Sequence, residues 1–190
     1  MRMRYGKTFR LIAVMLIMCL SVGLALPAGK VSAANSVAPE TAAAIAAAGG
    51  YKLSAENNNL ALYVDSSNGY FAVVNKSNNS VWYSVPEDVN EDKITKGVTR
   101  TNIRSHLVLQ YIAVEDINTI QTSQSANSAT ACISKGGLSV DKITNGVKVT
   151  FNFVDLKIKI PVTYVLKDDY LEASIDIKGI DEGNKNRIIE

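Results

Sequence analysis

Two neighbouring aromatic residues, Trp82 and Tyr83, have the type and position that best fit a binding function. In an extended chain successive side chains point to opposite faces, so Trp82 shares its face with small serines and Tyr83 shares the other with valines. Sugar-binding proteins use exposed aromatic rings, which have an apolar face, to stack against pyranose rings. We therefore expect Trp82 and Tyr83 to line a ligand groove or a domain interface. The alternative is that Trp82 is purely structural.

Carboxylate pairs are the second pattern that could do chemistry, because glycoside hydrolysis uses two acids at a fixed separation across a cleft. Acids that could contribute nearly all occupy turn-like segments: Glu56, Asp65, Asp155 and Asp168-Asp169. The sequence offers no means of pairing them, so we interpret them as turn residues. The acid-rich segment 86–96 is interpreted as an exposed loop rather than as a weak calcium site.

Cysteine and histidine are too sparse for nucleophilic or metal chemistry. The chain has two cysteines and one histidine, His106, whereas zinc takes three or four protein ligands. Cys132 has no evident base to activate it, and we interpret it as a buried, unreactive residue in a strand. We therefore predict no catalytic residue, no metal site and no cofactor.

Residues 1–33 have the pattern of a secretory signal peptide. Basic residues precede an apolar run over residues 11–26, which leads into Pro27 and then the small residues Val31-Ser32-Ala33. This run is shorter than the roughly 20 residues that cross a bilayer, although a retained N-terminal anchor is the alternative. We expect cleavage after Ala33 and a secreted or cell-envelope location.

Removal of this segment reverses the sign of the net charge. The full chain has 20 basic and 18 acidic residues, and residues 1–33 contain five of the basic residues and no acid. The mature chain therefore has 15 basic and 18 acidic residues, a formal charge of −3. A mildly acidic protein suits neither nucleic acid nor anionic lipid, so we expect no nucleic-acid partner and no membrane partner after cleavage.

Residues 34–50 form an Ala-rich segment that we interpret as a linker or a short helix. Pro39 near its start and Gly49-Gly50 after its end are typical of a helix. A helix of about ten residues is, however, marginal on its own.

From Tyr51 onward, apolar and polar residues alternate with the period of two that is typical of strands. The predicted strands of the first part are 60–64, 70–74, 80–85, 106–114, 117–123 and 129–134. The clearest hairpin signal is Asn145-Gly146; around and after it the predicted strands are 138–144, 147–154, 156–164 and 170–178. About ten short strands, each with one apolar face, predict an all-β antiparallel sandwich over residues 51–190.

Several short runs in this region are more specific than alternation alone. They are Leu62-Tyr63-Val64-Asp65, Gly69-Tyr70-Phe71-Ala72-Val73, Val81-Trp82-Tyr83-Ser84-Val85-Pro86, Asn145-Gly146-Val147-Lys148-Val149 and Asp168-Asp169-Tyr170-Leu171. Over residues 51–190 they resemble the N-terminal region of a family of large exported bacterial proteins with a domain of unknown function. The resemblance implies a super-sandwich domain similar to the N-terminal domains of several glycoside hydrolases. In such proteins the candidate catalytic residues lie in a barrel further downstream, so none is carried over to this chain.

These observations lead to one expectation and two alternatives. We expect a secreted, non-catalytic β-sandwich module that is an accessory or N-terminal domain of an extracellular glycan-processing protein, with polysaccharide or a downstream catalytic domain as its partner. The alternatives are a fragment of an active glycoside hydrolase whose catalytic barrel is missing, and a structural cell-envelope module. A new apolar strand that starts at residues 187–190 indicates the N-terminal part of a longer protein.

Overall fold

A computed structural model describes residues 36–86, 88–114, 122–183 and 187–189 of the chain. The predicted signal peptide, residues 1–33, and most of the predicted strand 117–123 lie outside the described residues. The described helices are α1 (Pro39–Ala47), α2 (Gly97–Ile103) and α3 (Ser128–Ala131). The strands are β1 (Tyr51–Glu56), β2 (Leu60–Asp65), β3 (Phe71–Asn75), β4 (Ser80–Tyr83), β5 (Val108–Ala113), β6 (Ser123–Asn127), β7 (Leu138–Ile143), β8 (Gly146–Phe153), β9 (Ile158–Leu166), β10 (Leu171–Ile175), β11 (Asp181–Glu182) and β12 (Arg187–Ile189).

The described strands form three sheets. The first sheet has the order β1-β2-β3-β4, the second has β12-β5-β6, and the third has β10-β9-β8-β7 with β11 also paired to β9. Every strand pair is antiparallel. The β-rich, antiparallel class predicted from the alternating pattern is therefore confirmed.

The main core is one cluster built from alternating apolar positions of the strands. Phe151 and Phe153 of β8 are fully buried there, as is Leu62 of β2. The same cluster includes Leu109 of β5, so all three sheets contribute to it. Burial of side chains of this size stabilises the fold by about 2 kcal/mol each relative to their exposure.

The first sheet is covered on its other face by α1. Ile45 of α1 is fully buried against Ala61, Ala72 and Val74, small and β-branched residues that let the helix approach the sheet closely. The backbone N–H of Ala38, just before α1, donates to Asn79 Oδ1 in the β3–β4 turn at 2.8 Å. The Ala-rich segment is therefore a helix that is docked onto the sheet by one apolar side chain.

The predicted Asn145-Gly146 hairpin is present, with its turn shifted by one residue. The last paired residues are Ile143 and Gly146, and Asn145 has the positive φ of 56°. Gly146 instead begins β8, where a Cβ atom would lie 2.0 Å from the carbonyl oxygen of Tyr164. The glycine is thus required by the close approach of β9 rather than by turn geometry.

The segment 129–134 differs from its prediction. Residues 129–134 were expected to be a strand, but β6 extends to Asn127 and α3 follows. The reason is a cap, because the Asn127 side chain accepts a hydrogen bond from the Thr130 backbone N–H at 3.0 Å. The strand prediction for 129–134 is wrong for this reason.

The predicted strand 170–178 is shorter than expected, and its apolar face is mostly exposed. It ends at Ile175, and a 3-10 turn follows over Ile177–Gly179 because Asp176 accepts a hydrogen bond from the Lys178 N–H. Ile175 and Ile177 have 45% and 79% of their surface exposed. The alternation was interpreted correctly as a strand, but the expectation of a buried face is wrong here.

Candidate functional site

Trp82 lies on β4, the edge strand of the first sheet, with 67% of its surface exposed. It is paired across the sheet with Val73, which belongs to the main core. Trp82 thus stands on the core-facing side of the sheet, at the edge where the core ends. This exposure leaves the indole ring accessible to a ligand or to another domain.

The groove beside Trp82 contains a second exposed aromatic ring, that of Tyr170. Tyr170 has 54% of its surface exposed and follows the β9–β10 turn. The groove has a volume of about 210 Å³, and polar side chains of Asn75 and Asp169 also line it. We call it the Trp82 groove. Two exposed rings beside an amide and a carboxylate give the groove apolar surfaces for stacking and polar groups for hydrogen bonding.

The β9–β10 turn is held in place by amide side chains of the β1–β2 turn. Asn57 Nδ2 donates to the carbonyl oxygen of Lys167 at 2.6 Å, and Asn59 Nδ2 donates to that of Asp168 at 2.8 Å. Asn57 is itself fixed, because the buried ammonium of Lys76 donates a hydrogen bond to the backbone carbonyl oxygen of Asn57 at 2.7 Å. These bonds connect the wall that carries Tyr170 to the sheet that carries Trp82.

Lys76 has the one charged side chain that is buried among the described residues. Its Nζ atom lies 2.9 Å from Glu56 Oε2, and the Glu56 side chain is about half exposed. A buried ammonium is costly unless it is paired and hydrogen-bonded, and here both conditions are met. The pair stabilises the turn that positions the groove.

Tyr83 lies on the opposite face of β4 and lines a different cavity. Its ring meets that of Tyr51 edge-on, with centroids 5.9 Å apart and an interplanar angle of 65°. This cavity, of about 570 Å³, is also lined by Asp65, Asn68 and Arg104; we call it the Tyr83 cavity. Trp82 and Tyr83 therefore line different cavities, and both also border a shallow depression of about 490 Å³ at the strand edge.

The polar groups of the Tyr83 cavity differ in how fully they are satisfied. Asp65 Oδ1 accepts hydrogen bonds from the backbone N–H and hydroxyl of Ser67, and Oδ2 accepts one from Asn68 Nδ2 at 2.6 Å. Within the part of the chain that the structure describes, the buried Nε atom of Arg104 has no hydrogen-bond partner. Arg104 was not identified from the sequence, where it is one basic residue among many.

His106 is enclosed by aromatic rings just before β5. The ring centroids of Tyr70 and Phe151 both lie 5.5 Å from that of His106, and the Tyr164 hydroxyl lies 3.3 Å from His106 Nδ1. Burial lowers the pKa of His106 to about 4 and raises the pKa of Tyr164 to about 12. The imidazole is therefore neutral near pH 7, and its ring packs against the core residues Phe151 and Tyr164.

Cys132 is buried, as expected, but it follows α3 and is not in a strand. Burial raises the pKa of its thiol to about 11, against a smaller opposing effect of a backbone hydrogen bond from Asn152. Its Sγ atom donates to the carbonyl oxygen of Gly137 at 3.2 Å. A protonated, buried thiol is a poor nucleophile, in agreement with the interpretation of an unreactive residue.

Of the acids considered for catalysis, Glu56, Asp65 and Asp155 each have a polar or charged partner. Asp65 is bonded within its own turn, and Asp155 forms an ion pair with Lys135. Across the described residues, no group of three or more His, Cys, Asp or Glu side chains is placed to bind a metal ion.

Comparison with known proteins does not assign the chain to a family: no family model, no curated protein and no solved structure matches it. In the described part of the chain, no helix has the length and apolar character needed to cross a membrane.

Proposed function

We propose that the chain is a secreted, non-catalytic β-sandwich module that binds polysaccharide, as an accessory or N-terminal domain of an extracellular glycan-processing protein. One observation carries the proposal: Trp82 and Tyr170 are both more than half exposed and line one groove. Adjacent exposed apolar side chains that line one groove are typical of a ligand-binding or interaction site. A pyranose has apolar C–H faces that suit such rings and hydroxyls that suit Asn75 and Asp169.

The fold supports a sandwich in which the first and third sheets face each other. Residues of β2 and β3 share one core with residues of β8 and β9, as expected for two packed sheets. The resemblance of residues 51–190 to the N-terminal regions of large exported bacterial proteins also supports a sandwich. The signal-like pattern of residues 1–33 supports secretion.

A specific observation favours a second candidate, in which the module packs against another domain of a larger glycoside hydrolase. Val108, Ile175 and Ile177 are all at least 45% exposed. Val108 and Ile175 line one groove of about 230 Å³ between β5 and β10. An apolar surface of this kind suits a domain interface.

Affinity electrophoresis through gels that contain cell-wall or plant polysaccharides tests the binding function. We expect the wild-type chain to be retarded by at least one polysaccharide, and Trp82→Ala to migrate as it does in a gel without polysaccharide. Ile177→Ala is the control, because it removes an exposed apolar side chain away from the groove. Equal retardation of wild type and Trp82→Ala, or none with any polysaccharide, would contradict the proposal.

A further inference from the structure

The Tyr83 cavity combines a cation, a carboxylate and aromatic walls on the far side of β4 from the Trp82 groove. We propose that this cavity binds the carboxylate of a uronic acid residue, so that the ligand of the module is an acidic polysaccharide. The proposal rests on the glycan-binding function and names the class of glycan.

Arg104 is the residue of the cavity that would bind an anionic group. Its Nε atom is buried without a hydrogen-bond partner, and it forms no ion pair with any acid among the described residues. A guanidinium presents a planar fork of donors that fits a carboxylate with two parallel hydrogen bonds. The position of Arg104 is fixed through its backbone, because its carbonyl oxygen accepts a hydrogen bond from the Tyr70 hydroxyl at 2.9 Å.

Asp65 makes a sugar a better fit than a simple anion. Its two oxygens accept three hydrogen bonds from Ser67 and Asn68, whereas a carboxylate has about four acceptor sites. The remaining site suits a hydroxyl donor and repels a second negative charge. A uronic acid residue supplies both groups, a carboxylate for Arg104 and hydroxyls for Asp65.

Two consecutive glycines, Gly49 and Gly50, line the cavity and leave room for a ring. Gly49 and Gly50 have positive φ angles of 104° and 55°, and a Cβ atom on Gly50 would lie 2.6 Å from Asp65 Cγ. A side chain at either position is disfavoured by conformation, and at Gly50 also by contact. Tyr51 and Tyr83 supply the aromatic walls beside these glycines.

The two binding surfaces are connected around the edge of β4. Trp82 borders both the Trp82 groove and the shallow edge depression, and Tyr83 borders both that depression and the Tyr83 cavity. A polymer can therefore cross the strand edge and contact both sites. A monosaccharide would occupy only one of them.

The test compares trigalacturonate with a neutral galactotriose of the same length, each titrated while Trp82 fluorescence and the ¹⁵N–¹H signal of the Arg104 side chain are followed. We expect the acidic trisaccharide to bind at least tenfold more tightly and to shift the Arg104 signal. In Arg104→Gln this preference should be lost while the neutral ligand still binds. Arg104→Lys should retain only part of the preference, because it keeps the charge and loses the fork.

Lys96→Gln is the matched control, since it removes one exposed positive charge from the same segment. Loss of the preference in this variant too would indicate a general charge effect and overturn the proposal. Acetate or glycine that shifts the Arg104 signal as much as the trisaccharide would indicate an adventitious ion only. Equal binding of both trisaccharides by the wild type overturns the uronate site and leaves the glycan-binding function standing, whereas binding of neither overturns both.

Discussion

At the scale of single residues, the alternation of the sequence places side chains on the correct face of a strand but does not show what covers that face. Trp82 and Tyr83 lie on opposite faces of β4, as the pattern predicts. Tyr170 could not be identified as the partner of Trp82, because their proximity depends on hydrogen bonds from Asn57 and Asn59 to a turn that is distant in sequence. Such long-range ties leave no local signal in the sequence.

His106 should make the free energy of unfolding depend on pH. Its pKa is about 4 in the folded protein, and about 6.5 in the unfolded chain. Between these values the unfolded state binds more protons, so the free energy of unfolding should fall by about 3 kcal/mol from pH 6.5 to pH 4. Urea denaturation at a series of pH values measures this change.

The control for this prediction is His106→Phe, with His106→Gln as a second variant that keeps polarity. Both remove the titrating group, so their stability should change less than that of the wild type between pH 6.5 and 5, above the range in which most carboxylates titrate. Identical pH profiles for wild type and both variants would show that His106 is not buried as a neutral ring.

At the scale of elements, a substitution at Gly146 shows whether a glycine is required there by the contact with β9 or by the geometry of the turn. A methyl group at this position would meet the Tyr164 carbonyl oxygen at 2.0 Å, so Gly146→Ala should destabilise the fold by about 3 kcal/mol, in the range of overpacking. Gly136→Ala is the comparison, since Gly136 has a φ of 68° and open space around it. Gly136→Ala should lower the free energy of unfolding by only about 1 kcal/mol.

Thermal or urea unfolding of both glycine variants decides between the two explanations. The reverse order of the two losses would contradict the close approach of β9 at Gly146.

The sequence indicates residues 34–50 only as a linker or a short helix, whereas in the structure α1 is docked on the first sheet through Ile45. A substitution at Ile45 tests this docking. Ile45→Ala removes the fully buried contact with Ala61, Ala72 and Val74. We expect a loss of about 2 kcal/mol or more and faster proteolysis within residues 39–50. Ala44→Ser, at an exposed position of the same helix, should change neither property, and equal proteolysis of the two variants would show that α1 is not docked through Ile45.

The remaining short helices show why element type was only partly predictable. The alternation of β8 and β9 spans eight and nine residues, enough for a clear period of two. Helices α2 and α3 have seven and four residues, too few for a helical period to stand out. The structure of α3 depends instead on the Asn127 cap, whose Oδ1 atom accepts hydrogen bonds from the backbone N–H and the hydroxyl of Thr130.

At the scale of the whole molecule, the β-rich antiparallel class followed from the sequence, because each sheet repeats the same local pattern. Which sheets pack against each other did not follow from the sequence, because alternation does not specify which faces meet. The first sheet has α1 on one face and the main core on the other, which explains why its strands β2 and β3 are buried on both sides.

Export is a prediction for the whole chain and concerns residues 1–33. We expect the exported protein to begin at Ala34 and to lack the five basic residues of the leader. Intact mass measurement of the protein recovered outside a bacterial host tests this. Ala33→Trp should block the cut, because signal peptidase requires a small residue there, and an unchanged mature mass in that variant would place the cut elsewhere.

We propose that Trp82 and Tyr170 hold one ligand between them, and titration of Trp82 fluorescence with the retained polysaccharide measures this binding. Trp82 is the single tryptophan of the chain, so the tryptophan signal comes from one residue that lines the groove. We predict a saturable change in the wild type and in Ile177→Ala, and at least tenfold weaker binding, about 1.4 kcal/mol, in Tyr170→Ala. The same dissociation constant in Tyr170→Ala as in the wild type would contradict the account.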